Sequence, residues 1–447
     1  MQRPKAFLKK QFPVLHTAFA DLPFLGWYRV MHARVLDLSY CIGFNSRSHT
    51  ESDMTARTPS IFVDISSIAE RDMATGIQRV ARGYLRGLGA IPGLETRVLP
   101  VCSPGNASGF VIADGTDCLI TFRRGDLLLL ADLAPQALLK NRSYLRRLIN
   151  EGVKVYVVLY DLLPLNYPEY FSVSYDIQFR AWLHAALELS GVIAISQTVA
   201  AQLGSYILSK GMKYDRLDVI VNYCGIELGD SPIKNSCSTD QHPWFSHHHQ
   251  ILMVGTVEPR KGYQEALEAI EILWKKDKTV ALTIVGKEGW KVRALAKRLD
   301  ALEQRGHPIR WLQNASDNLL TSLYRQSGFL LANSKDEGFG LPLIEAEHAG
   351  LPVLASDIPI FREVLGPKGN FFDGSSPEKL ANAIDHFCCK KKTKPNATQH
   401  RFPDWQGSAI SLLEKIKWNP ANDAFQSARE ISEIEHENKI RPPKQSQ

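Results

Sequence analysis

The sequence predicts an α/β protein made of two doubly wound domains that face each other across a cleft. Three observations predict it. At 447 residues the chain is too long for one hydrophobic core and long enough for two domains of roughly 180 residues each. Short apolar runs alternate with stretches of helical spacing, the pattern of βα units around a buried parallel sheet. That rhythm stops at a polar, proline-containing segment, DSPIKNSCSTDQHPWFSHHHQ (230–250), and then restarts.

Residues 1–55 form an N-terminal extension and linker. KAFLKKQF is basic, and DLPFLGWYRVMHARVLDLSYCIGF is apolar but interrupted by Arg29, His32 and Arg34. No clean apolar core leads to a small-residue cleavage site, so a cleaved signal is not expected. A packing arm and an amphipathic helix on a membrane surface both stay open. Residues 56–240 make the first domain, with the runs IFVDI, CLITF, DLLLLAD, KVYVVLYD, GVIAIS and DVIVN as strands. Ile77, Val80, Ala81, Tyr84, Leu85 and Leu88 recur at three and four, which places an amphipathic helix just after Thr75 and Gly76. Residues 250–402 make the second domain, from ILMVG, VALTIVG, IRWLQ, GFLLA and PVLAS joined by patterns such as GYQEALEAIEILWKK. In such sheets ligands bind beyond the carboxyl ends of the strands, so two facing domains would enclose a cleft there.

Composition narrows the function class. Apolar residues at 44% and charged residues at 22% are ordinary for a soluble globular protein. A net charge of +6 does not mark a nucleic-acid binder, though it suits phosphate-bearing substrates or anionic lipid. The seven cysteines are odd in number and lack CxxC spacing, so neither a disulfide framework nor a zinc site is expected, and a reducing cytoplasm fits best. His247, His248 and His249 are adjacent and would point different ways in an extended chain, so they are not read as metal ligands. No run of about 18 apolar residues suggests a transmembrane helix. The basic stretch LLKNRSYLRRLINEG (138–152) reads as a solvated helix face, with contact to anionic lipid or an acceptor's phosphate left open.

The chemistry concentrates in DEGFGLPLIEAEHAGLPVLAS (336–356). Pro342 suits a first helical turn, Gly350 an end, and Pro352 stops continuation, which places a short helix at about 342–349. Gly338 and Gly340 would let the backbone approach a ligand and aim amides at it, and a helix N-terminus is an anion site. Glu337 would sit at the mouth of the cleft and Glu345 one turn into the helix, deeper. Two carboxylates beside a phosphate bind it poorly, but they accept hydroxyls on either side of it, the layout of a sugar, a diphosphate and a ribose. VGTVEPRKGY (254–263) supplies Arg260 and Lys261 after a strand, two cations for the charge on a departing diphosphate. No Asp-x-Asp tripeptide offers a divalent metal a place against that diphosphate, so metal-independent chemistry is expected.

VGTVEPRKGY, LTIVGKEGW, EGFGLPLIEAEHAGLPVLASDIPIFREV and FFDGSSPEKLANAI together resemble the retaining glycosyltransferases of family 4, with their E-x7-E signature at Glu337 and Glu345. The match covers nearly all of residues 60–415. The resemblance implies the GT-B fold, with the nucleotide sugar held chiefly by the C-terminal domain. It implies that Glu337 meets donor-sugar hydroxyls, that Glu345 binds the ribose, and that Arg260 and Lys261 hold the diphosphate. The amides around Gly338, Phe339, Gly340 and Leu341 would hold sugar hydroxyls and phosphate oxygens. FVDISSIAERDMATGIQRVARGYL resembles the opening strand, glycine loop and helix of bacterial polysaccharide mannosyltransferases, with Gly76 in the loop where many relatives have two glycines. VVLYDLLPLNYPEYF brings Asp161 to the cleft, but Tyr160 stands where relatives often have histidine, and a histidine's role does not carry over to it. ISQTVAAQL (195–203) resembles a segment lining the cleft. RFPDWQGSAISLLEKI resembles the terminal helix, here 403–420, that crosses back to the first domain, leaving 421–447 as a polar tail.

The expected activity is retaining, metal-independent hexosyl transfer, mannose from GDP-mannose, onto a growing bacterial surface polysaccharide or lipopolysaccharide. In the family mechanism the leaving diphosphate takes the acceptor's proton on the face where attack occurs. The expected partners are a nucleotide-sugar donor and a glycan or lipid-linked saccharide acceptor, with no cofactor and no nucleic acid. The protein would be cytoplasmic, with peripheral association at the inner face of the plasma membrane left open. The alternatives are transfer of glucose, rhamnose or N-acetylhexosamine from UDP, GDP or dTDP, a GT-B nucleotide-sugar epimerase, and a catalytically silent scaffold of a polysaccharide assembly complex.

Overall fold

The computed structural model describes residues 58–418 apart from 74, 106, 116–117, 213–216, 227–248 and 390–400. The N-terminal extension, most of the 230–250 segment with His247 and His248, and the 421–447 tail lie outside the described residues.

The first domain runs β1 (Ile61–Asp64), α1 (Ser66–Glu70), α2 (Gly76–Gly89), β2 (Val98–Cys102), β3 (Val111–Ile112), β4 (Leu127–Leu130), α3 (Pro135–Asn150), β5 (Lys154–Leu159), α4 (Leu163–Asn166), α5 (Val173–Ala186), β6 (Gly191–Ala194), α6 (Gln197–Ser209) and β7 (Asp218–Val221). Its sheet has the order β3-β2-β1-β4-β5-β6-β7, parallel except for β3 on β2. The second domain runs β8 (His249–Val254), α7 (Tyr263–Lys275), β9 (Val280–Val285), α8 (Arg293–Gln304), β10 (Ile309–Leu312), α9 (Asp317–Gln326), β11 (Phe329–Ala332), α10 (Leu341–His348), β12 (Val353–Ser356), α11 (Pro359–Leu365), β13 (Asn370–Phe372) and α12 (Pro377–Cys389). Its sheet is wholly parallel, in the order β10-β9-β8-β11-β12-β13. Each sheet reverses direction once, between β1 and β4 and between β8 and β11. These are the switch points at which doubly wound sheets open a crevice for ligands.

Local chemistry explains most boundaries. β1 and β4 are buried at every residue, as parallel strands covered on both faces must be. Thr75 caps α2 by accepting from the Gln78 amide, and the Gln78 side chain accepts back from the Thr75 amide, a capping box that the T-G-I-Q spelling encodes. One expected strand fails: CLITF makes only an isolated antiparallel bridge, Leu119 with Val111. The strand beside β1 is instead VLPVC, with Pro100 opposite Val63.

A last helix, α13 (Trp405–Lys415), packs on α2 of the first domain. Trp405 lies against Gly83, Gly87 and Gly225, where an added Cβ would come within 2.1 to 2.5 Å of its atoms, and its ring meets Tyr84 edge-on at 5.6 Å. Asn222 donates to the Ser408 carbonyl and Lys154 to the Ile416 carbonyl. The chain thus crosses between the domains twice. The core of the first domain takes in Leu412 of α13 and continues across the interface into Leu343, Ile344 and Phe361, while a second cluster fills the other face of the second sheet.

Candidate active site

The loop after β8 and the loop after β11 meet at the second domain's switch point. In the first of them Pro259–Lys261 form a single 3-10 turn that ends at Gly262 in the left-handed region, φ 66°. A side chain there would strike the Asn333 carbonyl, 2.2 Å from the Cβ position, so glycine is required where the two loops cross. The turn aims Arg260 and Lys261 at Glu337. Glu337 accepts from Lys261 Nζ at 2.5 Å and from Ser334 Oγ at 2.7 Å, and pairs with Arg260 at 2.9 Å.

Glu337 is only 8% exposed. Burial alone would raise its carboxyl, but Arg260 and Lys261 outweigh that and hold it down at about 2. Arg260 also pairs with Glu258 at 2.6 Å and donates to the Asp336 carbonyl at 3.0 Å. Burial works against its charge too, yet Glu337, Glu258 and Asp161 hold the guanidinium above its ordinary value. Glu258 is 2% exposed, and its second oxygen has no hydrogen-bond partner. Burial pushes its carboxyl up against the pull of Arg260 and Lys261.

This arrangement corrects one expectation, the relative depth of the two glutamates. Arg260 and Lys261 do not stand free for an anion, since two carboxylates already hold them. Glu337 is not at the cleft mouth; it is the deeper of the two glutamates. Glu345, whose side chain is 18% exposed, sits nearer the surface because its position on α10 turns it toward the first domain. There it pairs with Arg79 at 2.6 Å and accepts from the Tyr324 hydroxyl at 2.7 Å.

The glycine loop also packs against the first domain. Gly338 lies against the first domain: an added Cβ would be 1.9 Å from the Tyr160 carbonyl oxygen, and its own carbonyl accepts from Ser196 Oγ at 2.8 Å. Phe339 stacks on Tyr223 and meets Phe402 edge-on, in a buried aromatic cluster. Gly340, φ 90°, starts α10, and Leu341 is its first residue. By contrast a Cβ on Gly76 would meet nothing within 4 Å, so the start of α2 keeps open space.

Asp161 accepts from the Leu163 amide at 3.1 Å, a loop-capping role, while standing close enough to Arg260 to be influenced by it; burial raises its carboxyl. Tyr160 turns its hydroxyl to the Ala131 carbonyl at 2.5 Å, and burial holds the phenol well above its usual range. It cannot substitute for a histidine at the reacting atoms.

The domains are clasped around this centre. The Glu363 carboxylate accepts from the amides of Gln197 and Thr198 at 2.7 and 2.8 Å, an anion capping α6 from the opposite domain. Trp290 donates to the Tyr170 carbonyl at 2.6 Å, and Lys287 to the Met73 carbonyl at 2.9 Å. The basic residues of α3 are partly paired, Arg142 and Arg146 with Glu188. Sequence reasoning missed Glu258, Arg79 and Tyr324. Glu258 and Arg79 lay inside motifs already singled out; nothing in the sequence ties Arg79 or Tyr324 to Glu345.

Among the described residues no helix is long and apolar enough to cross a membrane, and no group of three or more His, Cys, Asp or Glu residues stands ready for a metal.

Residues 238–400 match the family model "Glycosyl transferases group 1". The chain is 31% identical over 403 residues to the serotype-specific mannosyltransferase WbdA of Escherichia coli, covering 85% of this chain and 47% of that protein. It is 27% identical over 210 residues to the O-antigen chain mannosyltransferase RfbU of Salmonella typhimurium, covering 47% of this chain and 54% of that one. It spans about half the length of the curated relatives it matches. Among solved structures, Anabaena HepE in complex with UDP and glucose aligns with a TM-score of 0.57 at 17% identity, over 81% of this chain and 100% of that one, a likeness of fold. Residues 238–400 are therefore similar to a glycosyl transferases group 1 domain, the fold is the GT-B fold of HepE, and most of the chain is similar to part of bacterial mannosyltransferases.

Proposed function

We propose that this protein is a retaining, metal-independent glycosyltransferase that moves mannose from GDP-mannose onto a growing bacterial surface glycan. One observation carries the reading: Arg260 and Lys261 converge with Glu337 at the switch point of the second sheet, in front of the N-terminus of α10. The likeness to mannosyltransferases supports mannose as the sugar.

In this reading the ionised Glu337 accepts donor-sugar hydroxyls, Glu345 accepts those of the ribose, and Lys261, Arg260 and the first amides of α10 receive the diphosphate. The bond from the anomeric carbon to the diphosphate oxygen breaks as the acceptor oxygen bonds to that carbon on the same face. The acceptor's proton passes to the departing diphosphate, so no protein nucleophile is required. Fixed cations stabilise the charge that develops on the leaving group. The open space at Gly76 suits the donor's phosphates approaching α2 from the second domain. The free cysteines among the described residues suit the cytoplasm, and a lipid-linked acceptor would bring the protein to the inner face of the plasma membrane.

The test is nucleotide release from a panel of GDP-, UDP- and dTDP-sugars, with and without EDTA. The expected result is GDP from GDP-mannose, undiminished by EDTA. Preferred release of UDP or dTDP would overturn the donor, and dependence on manganese or magnesium would overturn the metal-free chemistry. Failure of a folded protein to turn over any donor would overturn the activity.

A further inference from the structure

Arg260 and Lys261 bring two positive charges to the centre, and Glu258 and Glu337 bring two negative ones. The four groups cancel. The diphosphate of a nucleotide sugar carries a negative charge on each phosphate, so a further cation is needed to hold it in a site shielded from water.

Arg79 is placed to supply that cation. It is the fourth residue of α2, on the opposite wall of the cleft, and its guanidinium pairs with Glu345 at 2.6 Å. The other Glu345 oxygen accepts from Tyr324 at 2.7 Å. Each Glu345 oxygen thus has one partner and a lone pair to spare, and ribose hydroxyls that reach the carboxylate share it with Arg79 and Tyr324 or displace one of them. Tyr324 is 4% exposed and locked in the core. Arg79 has 45% of its side chain exposed, and an ion pair with so exposed a partner is worth about 1 kcal/mol or less. Of the two, Arg79 is the partner that can leave. Glu345 is the fifth residue of α10, which puts Arg79 about 6 Å along the axis from the first-turn amides, within the swing of an arginine whose backbone stays fixed.

We propose that Arg79 is a ligand of the donor diphosphate: the ribose displaces it from Glu345, and the guanidinium turns to the phosphates. The proposal rests on the nucleotide-sugar reading of the site. It makes the Arg79–Glu345 pair a placeholder that binding exchanges, rather than a fixed clasp between the domains.

Calorimetric titration of the full chain tests it, using GDP, UDP, dTDP, GMP and guanosine on wild type, Arg79→Ala, Arg79→Gln and Arg79→Lys. The wild type is expected to bind one diphosphate best. Arg79→Ala and Arg79→Gln should each weaken that diphosphate about tenfold or more while changing the monophosphate and nucleoside less than about threefold, and Arg79→Lys should recover part of the loss. If Arg79 only clasps Glu345, its removal frees the carboxylate, and diphosphate, monophosphate and nucleoside all bind equally well or more tightly; that result overturns the proposal. A uniform loss across all three would also overturn it, by assigning Arg79 to the ribose or base. If the folded wild type binds no diphosphate of the panel, the nucleotide-sugar reading itself fails and the proposal falls with it.

Discussion

Neutralising Glu337 separates its electrostatic work from its chemical work. Folding carries this carboxyl from 4.5 to about 2, and at about 1.4 kcal/mol per pH unit the ionised form contributes about 3 kcal/mol of stability at neutral pH. Its folded value is depressed, so that stability is complete above 4.5 and drains away as pH falls through about 2. Glu337→Gln keeps the shape and still accepts one hydrogen bond, so the unfolding free energy should fall by up to about 3 kcal/mol in urea at pH 7. The gap between variant and wild type should shrink to about half by pH 3. The same change frees Lys261 and Arg260 from their shared carboxylate, so a bare nucleoside diphosphate should bind more tightly even as turnover falls. The two readouts move in opposite directions. A stability loss under about 1 kcal/mol, or a gap that widens on acidification, would refute the electrostatic account. Weaker diphosphate binding would refute the competition between Glu337 and the phosphates.

Changing both Arg260 and Lys261 to alanine should cut turnover by about a hundredfold or more, on the scale of lost oxyanion donors; steady-state kinetics giving near-normal rates would remove both from the mechanism. Glu345→Gln exchanges an acceptor oxygen for a donor and should weaken free nucleotide by roughly 1 to 3 kcal/mol, read by calorimetry, whereas unchanged binding would detach Glu345 from the ribose. Gly338→Ala would drive a methyl group to 1.9 Å from the Tyr160 carbonyl, so the domains should separate and turnover fall at least about tenfold. Small-angle scattering that detects no expansion, with normal kinetics, would contradict this. Trp405→Ala should cost about 3 kcal/mol of stability as the slot on α2 empties, and a change under about 1 kcal/mol in urea unfolding would show that the slot contributes little.

Local punctuation made much of the fold legible. Thr75, Gly76 and the apolar spacing from Ile77 marked the start of α2, and Pro342 and Gly350 bracketed α10 to within a residue or two. Pro100 hid β2, because a residue without an amide hydrogen reads as a strand breaker. Burial between β1 and β3 outweighed that missing donor. At the site, the chemically distinctive side chains were legible because they sit in short segments that follow strands. What they touch was not. Arg79 and Glu345 are 266 residues apart, and no spacing rule links the first helix of one domain to a helix of the other. The contact of Gly338 with the Tyr160 carbonyl was hidden for the same reason: a glycine that admits a ligand and one that admits a neighbouring carbonyl are spelled identically.

The seating of α13 on α2 has a consequence for how such proteins can be recombined. The first domain is discontinuous along the chain. During synthesis its α2 surface stays uncovered until the whole second domain has emerged, so that domain must tolerate folding beside an unfinished partner. A chimera made to exchange donor specificity by cutting once, between Ile226 and His249, would import a foreign α13 whose tryptophan has no reason to match the slot of Gly83, Gly87 and Gly225. Two junctions are needed, the second between Cys389 and Arg401, so that the host keeps its own α13 and only the intervening sheet is replaced.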